Sequence, residues 1–163
     1  RWEPIAKKMI KHYKLNSNSK ILDVGCGKGF LLYEFKKLLP DCEIRGFDIS
    51  SYAIENAKEE VKKDLILGHA NNLPFEKNYF DLVISLNTLH NLYCYDLKKS
   101  LMEIERVGKA NKYICVETYR NEHERINLLY WQVTCECFFT PKEWKWWFEL
   151  SGYNGDYSFI YFE

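Results

Sequence analysis

The sequence predicts a doubly wound α/β fold, a mostly parallel sheet with helices on both faces, and three observations carry that prediction. Short apolar runs alternate with amphipathic helical segments as far as about residue 118, which is the order of a parallel sheet. The run Phe80–Leu86 is nearly all apolar, as a strand covered on both faces should be. Ile21–Leu32 passes from an apolar strand through Asp23 into Gly25, Gly27 and Gly29, and then into an apolar helix. Glycines at that spacing let backbone approach a ligand closely, because no Cβ stands in the way.

The elements follow in order. Trp2, Ile5, Met9, Ile10 and Tyr13 fall on one face of an opening amphipathic helix. Lys20–Val24 is a short buried strand ahead of the glycine turn. Leu31, Phe35, Leu38 and Leu39 mark the next helix, which Pro40 ends. Glu43–Asp48 is the second strand, and Ser50 or Ser51 caps a helix that turns Ile54, Ala57 and Val61 inward. Leu65–Gly68 is a third strand, Phe80–Leu86 a fourth, and Leu97, Leu101, Ile104 and Val107 mark the helix before the fifth, Lys112–Thr118.

The last third is rich in aromatic residues. Thr140-Pro141-Lys142-Glu143 is a capping box with proline at the first helical position, starting a helix that Gly152 stops. Trp144, Trp146 and Trp147 cannot share one helical face, so at least one is expected outside the core. Tyr157–Phe162 alternates as a closing strand, and Trp131–Phe139 is a further strand candidate.

At 163 residues the chain reads as one domain, with a ligand-binding half to about residue 110 and a second half at 111–163. Its 23 basic and 23 acidic residues balance, which argues against a phosphate-backbone partner. Nothing approaches the roughly 20 apolar residues of a membrane span. Six cysteines without a Cys-x-x-Cys pair suggest reduced thiols and a cytoplasmic location. No metal site is expected, because Cys135 and Cys137 lack zinc spacing. Oligomeric state is left open, as is an acceptor lid preceding Arg1.

Two nucleotide readings compete for the glycine turn. A dinucleotide turn wants Gly-x-Gly-x-x-Gly, but the third glycine comes one residue early and Phe30 stands in its place. A P-loop is excluded, since no Gly-Lys-Ser/Thr follows. As written, Asp23-Val-Gly-Cys-Gly-Lys-Gly29 resembles the first motif of class I S-adenosylmethionine-dependent methyltransferases. The resemblance extends to Gly46-Phe-Asp-Ile-Ser50, to Gly68-His-Ala-Asn-Asn-Leu-Pro-Phe75, to Tyr79–Ser85 and to Leu89-His90-Asn91-Leu92, in order over about Ile21–Thr118.

That resemblance implies a Rossmann-like, seven-stranded-type sheet, here with an abbreviated C-terminal end, and S-adenosylmethionine as cofactor with S-adenosylhomocysteine as product. It implies that Gly25, Cys26, Gly27 and Gly29 pass under the methionine part, with Asp23 near its ammonium. Asp48 would hold the ribose and Ile49 pack on the adenine. Ala70 and Asn71 would meet the adenine edge, and Leu86 or Asn87 the methionine end. One departure is His69, where the family usually has Asp; a neutral imidazole nitrogen can accept the same hydrogen bond.

Methyl transfer asks mainly for alignment and exclusion of water. Only a hydroxyl acceptor needs a base, and His90 or Tyr119 could serve; the Leu-x-x-Leu frame around His90 equally suits a packing role. The Asp/Asn-Pro-Pro-Tyr of nucleic-acid amino-methyltransferases is replaced by Asn87-Thr-Leu-His90, and the paired glutamates of protein arginine methyltransferases are absent from this loop. A small-molecule acceptor remains by elimination, with the aromatic region Tyr119–Trp147 as the expected acceptor wall. The alternatives are a catalytically silent cofactor-binding subunit and, disfavoured by Phe30, a nicotinamide-dependent oxidoreductase.

Overall fold

A computed structural model describes all residues, Arg1–Glu163. In chain order it contains α1 (Glu3–Tyr13), β1 (Lys20–Val24), α2 (Phe30–Leu38), β2 (Glu43–Asp48), α3 (Ser51–Glu55), α4 (Glu59–Lys62) and β3 (Leu65–Leu67). There follow β4 (Phe80–Leu86), a 3-10 turn (Leu89–Asn91), α5 (Cys94–Val107), β5 (Gly108–Glu117), α6 (Glu122–Trp131), α7 (Pro141–Leu150) and β6 (Asp156–Ile160). No helix is long and apolar enough to cross a membrane.

The strands form one sheet in the order β3-β2-β1-β4-β5-β6, with every pairing parallel. The expected seven strands are therefore six. Between β5 and β6 the chain makes two helices, α6 and α7, so β6 enters directly beside β5, pairing Tyr113 with Asp156 through Glu117 with Ile160. Strand order reverses between β1 and β4, and the crevice at such a reversal is where open α/β sheets bind ligands.

Each face of the sheet carries its own core. Leu22, Val24, Val83, Ile114 and Val116 pack with α5 and α7 residues such as Leu101, Trp144 and Phe148. Ile21, Leu82 and Ile84 pack with Met9, Leu32, Phe35 and Val61 on the other side. Strand alternation assigns neighbours to opposite faces, which turns Asp23 toward the α1–α2 side.

Two sequence expectations give way for identifiable reasons. The single helix around Ile54–Val61 is broken, because the Lys58 amide donates to the Lys28 carbonyl at 3.2 Å, which ties α4 to the glycine turn. Trp131–Phe139 is not a strand: Trp131 ends α6 and residues 132–139 are irregular. Their polar groups go elsewhere, with the Glu136 and Cys137 amides both donating to the His90 carbonyl at 2.9 Å. The caps hold as read, Ser50 Oγ accepting from the Ala53 amide at 3.1 Å and Thr140–Glu143 forming a reciprocal box. Of the clustered tryptophans, Trp144 is buried, Trp147 half-buried and Trp146 exposed.

Candidate functional site

The glycine turn leaves the C-terminal end of β1 at the point where the sheet order reverses. Gly25, Gly27 and Gly29 have φ of 83°, 53° and 72°, a region other residues enter only with strain. At Gly25 the requirement is doubled, since a Cβ there would lie 1.9 Å from Thr88 Oγ1. The turn is pinned by Asp48, whose Oδ2 accepts from the Gly27 amide at 2.7 Å and whose Oδ1 accepts from the Ser50 amide at 2.9 Å. Gly29 is the N-cap of α2 and offers no side chain to its first amides. Those donors have no intrahelical partner and point toward the turn as an anion site.

Asp23 stands one step back on β1. It is 5% exposed, and its Oδ1 has no hydrogen-bond partner. Burial first, and the nearby Asp48 second, push its carboxyl from 3.8 up to about 7. A buried carboxylate without a cation is costly, so this group is poised for a positively charged partner. Burial pushes the Cys26 thiol upward as well, with Asp23 and Asp48 adding to it. That makes Cys26 a packed loop residue and no nucleophile.

Two cavities meet at Gly25. The smaller is lined by Phe47, Asp48, Ile49, Gly68, His69, Ala70, Thr88 and Leu92. Its outer loop is held in place by Arg106, which donates to the Leu73 and Phe75 carbonyls at 2.9 and 2.7 Å. The larger is a cleft of about 1420 Å³ running from Asp23 and the glycine turn, past Leu86 and Asn87, to Tyr113 and Cys115 of β5 and Tyr157 of β6. Trp2, which precedes α1, and Ile5, Met9 and Tyr13 of α1 close its far side.

The structure thus gathers Asp23, Gly25, Cys26, Gly27, Leu86 and Asn87 on the cleft, and Asp48, Ile49 and Ala70 on the smaller cavity. Asn71 is turned away, its amide donating to Asp96 at 2.6 Å, and His69 lines the wall in its place. Neither His90 nor Tyr119 lines either cavity. His90 is buried, and the Tyr119 hydroxyl is directed at the Phe138 carbonyl at 3.4 Å.

The expected aromatic wall is corrected too. No residue from Tyr119 to Trp147 lines the cleft, whose aromatic rings are Trp2, Tyr13, Phe30, Tyr113 and Tyr157. The reason is topological: α6, residues 132–139 and α7 occupy the crossover between β5 and β6, and Trp144 and Phe148 pack into the core on the face opposite α1.

Thr88 and Lys28, which line the smaller cavity and the cleft, escaped the sequence reading. Thr88 could have been found only through its fit against Gly25.

Comparison with known proteins places these features in company. A family model described as a methyltransferase domain matches residues 15–152. The chain is 33% identical over 119 residues to an uncharacterized methyltransferase of Schizosaccharomyces pombe, covering 66% of this chain and 41% of that protein. It is 34% identical over 126 residues to a demethylmenaquinone methyltransferase of Symbiobacterium thermophilum, covering 72% and 49%. A tRNA (carboxymethyluridine(34)-5-O)-methyltransferase of Arabidopsis thaliana is 33% identical over 116 residues, covering 71% and 28%. The chain therefore spans half or less of the length of these relatives.

Among solved structures, an S-adenosyl-L-methionine-dependent methyltransferase assignment from Methanococcus maripaludis superposes with a TM-score of 0.62 at 26% identity, covering 71% of this chain and 55% of that one. The YcgJ protein of Bacillus subtilis gives 0.72 at 22% identity over 90% and 66%, a likeness of fold.

Proposed function

This chain belongs to the methyltransferase domain family, whose cofactor is S-adenosylmethionine, and we propose that it transfers a methyl group to a small-molecule acceptor. The observation that carries the reading is the unpartnered buried carboxylate of Asp23 at the mouth of the glycine turn, with the Asp48 carboxylate on the other side of that turn.

The residues present fit the cofactor. An α-ammonium supplies the cation that Asp23 lacks. The uncapped amides at the start of α2 suit an α-carboxylate. Asp48 keeps lone pairs for ribose hydroxyls beyond the two amides it accepts from, and charge-assisted bonds of that kind are the strong ones. Ile49, His69 and Ala70 frame a slot for the adenine. Leu86 and Asn87 would flank the methionine end, where the cleft begins. In this reading residues to about 110 hold the cofactor, and residues 111–163 with α1 frame the acceptor.

When bound, the cofactor supplies a methyl carbon made electrophilic by a positively charged sulfur. The protein's own task is to align an acceptor atom with that carbon and to keep water away. The cleft of about 1420 Å³, lined by Trp2, Tyr13, Phe30, Tyr113 and Tyr157, offers apolar and aromatic walls for this. A balanced net charge supports a small acceptor over a nucleic-acid backbone.

The test is calorimetric titration with S-adenosylmethionine, S-adenosylhomocysteine and NAD. Binding of the two sulfur compounds in preference to NAD is expected. Asp48→Ala should weaken S-adenosylhomocysteine about 10- to 100-fold, the worth of losing charge-assisted hydrogen bonds, with the circular dichroism spectrum retained. Unchanged affinity in that variant would remove Asp48 from the site.

A further inference from the structure

Resting on the reading of this cleft as the acceptor site of a methyltransferase, we infer that the acceptor is a small amphipathic anion. Lys8 and Lys11 of α1 hold its carboxylate or phosphate group, and the aromatic walls of the cleft hold its apolar body.

The charge comes from α1. Ile5, Lys8, Met9 and His12 recur at helical spacing, which puts them on one face, and all four line the cleft. Met9 is buried and Ile5 half-buried, while Lys8 is exposed on the same stripe. A helix normally keeps that stripe apolar for its core. Lys11 lines the cleft as well, from the last turn of the helix.

The two sides of α1 treat their cations differently. Glu3 is the only carboxylate of this helix. It takes Lys7 at 2.6 Å and Lys37 at 3.2 Å, and neither Glu3 nor Lys7 lines the cleft. On the cleft side Lys8 and Lys11 form no ion pair.

The carboxylates of the cleft are already committed. Asp156, at the start of β6, accepts from Tyr13 Oη at 2.9 Å, and His12 Nε2 stands 3.4 Å from the same oxygen. Asp23 awaits the ammonium of the cofactor in the reading above. Two further cations line the cleft and rest over rings, the Arg1 guanidinium 5.3 Å from the Trp2 centroid and the Lys28 ammonium 4.9 Å from that of Tyr52. The cleft is thus locally positive in a chain whose charges balance. A cleft of one sign with low-dielectric walls concentrates ligands of the other.

The walls define the rest of the molecule. Tyr13 and Tyr113 spend their hydroxyls within the protein, on Asp156 and on Ser158 Oγ at 2.6 Å. They therefore offer ring surface, as Trp2 does, which suits a flat or apolar body. The methionine end of the cofactor lies by Leu86 and Asn87 in the reading above, whereas the lysines stand on α1. The anionic group accordingly anchors the acceptor, and another of its atoms meets the methyl carbon. A nucleic acid would ask for positive surface continuing beyond the cleft, and on the outer side of α1 Glu3 neutralises it.

Calorimetric titration of the S-adenosylhomocysteine-loaded chain with phenyl phosphate, benzoate and benzyl alcohol tests this. The two anions should bind about tenfold or more tightly than the alcohol. That margin should shrink between about 0.05 M and about 0.5 M salt. Both lysines are exposed, so the double variant Lys8→Ala, Lys11→Ala is expected to fold. It should lose the margin while holding benzyl alcohol and S-adenosylhomocysteine within about twofold of wild type. Equal binding of the three probes to wild type, or a margin that survives in the variant, overturns the inference. An RNA hairpin that binds more tightly than phenyl phosphate, and depends on the same lysines, overturns it in favour of a polyanion. S-adenosylhomocysteine titrated alone keeps the two readings apart. Its failure sinks the methyl-transfer reading and this one with it, whereas its binding without any preference for the anions sinks the acceptor class alone.

Discussion

Asp23→Asn is expected to make the unliganded protein more stable at pH 8 while costing it about 100-fold or more in affinity for S-adenosylhomocysteine. The folded carboxyl titrates at about 7 against an ordinary 3.8. A raised folded value means that the native state binds the proton more tightly than the unfolded chain. Its contribution is therefore whole below about pH 4 and is lost as pH rises through 7. The full displacement is worth on the order of 4 kcal/mol. An amide of the same shape cannot ionise, so the wild-type and variant melting temperatures should agree near pH 4 and diverge by pH 8.

Ligand binding reverses that order. Removing one partner of a buried ion pair costs roughly 3–5 kcal/mol, which sets the loss of affinity. Wild-type affinity should also improve from pH 6 to pH 8, as Asp23 ionises. Thermal melts with and without S-adenosylhomocysteine at both pH values measure all of this. Parallel melting curves for the two proteins across pH 4–8 would mean that Asp23 is neither strained nor waiting for a cation.

Trp144→Ala should cost about 3–5 kcal/mol of stability, the range for deleting a large buried aromatic side chain. Trp144 is fully buried, stacks on Phe148 at 6.0 Å and meets Phe139 edge-on at 5.3 Å. Its indole N–H satisfies the Glu117 carbonyl, so truncation also strands an acceptor at the end of β5. Trp146 lies two residues away and is 54% exposed; Trp146→Ala should cost less than about 1 kcal/mol. Urea unfolding followed by circular dichroism compares the two, and equal losses would contradict the packing described.

The first two-thirds of the fold were legible because local signals agreed with the global arrangement. Asp23, Gly25 and Asp48 announced themselves by chemistry at strand ends, and the Ser50 and Thr140 caps by side chains that bond their own helices. What was not legible depended on distant partners. The Lys58 amide leaves its helix for Lys28, Asn71 turns to Asp96, and residues 132–139 spend their hydrogen bonds on the turn holding His90. No local pattern encodes those choices. The start of α6 was readable, since Asn121 accepts from the Glu124 amide and Asn is a favoured cap. Its weakly amphipathic surface concealed the rest.

The pairing of β1 with β4 bears on how the molecule is made. Ile21 aligns with Leu82, so a nascent chain leaving the ribosome must carry one edge of β1 unpaired for about sixty residues of synthesis. Thr88, which closes over Gly25, emerges later still. The turn is thus completed by residues made about sixty positions after it. Long-range parallel pairing of this kind folds slowly and exposes strand edges meanwhile. A pause in translation before β4 is made would prolong the exposure of that edge of β1, whereas after β5 both β1 and β4 have their partners.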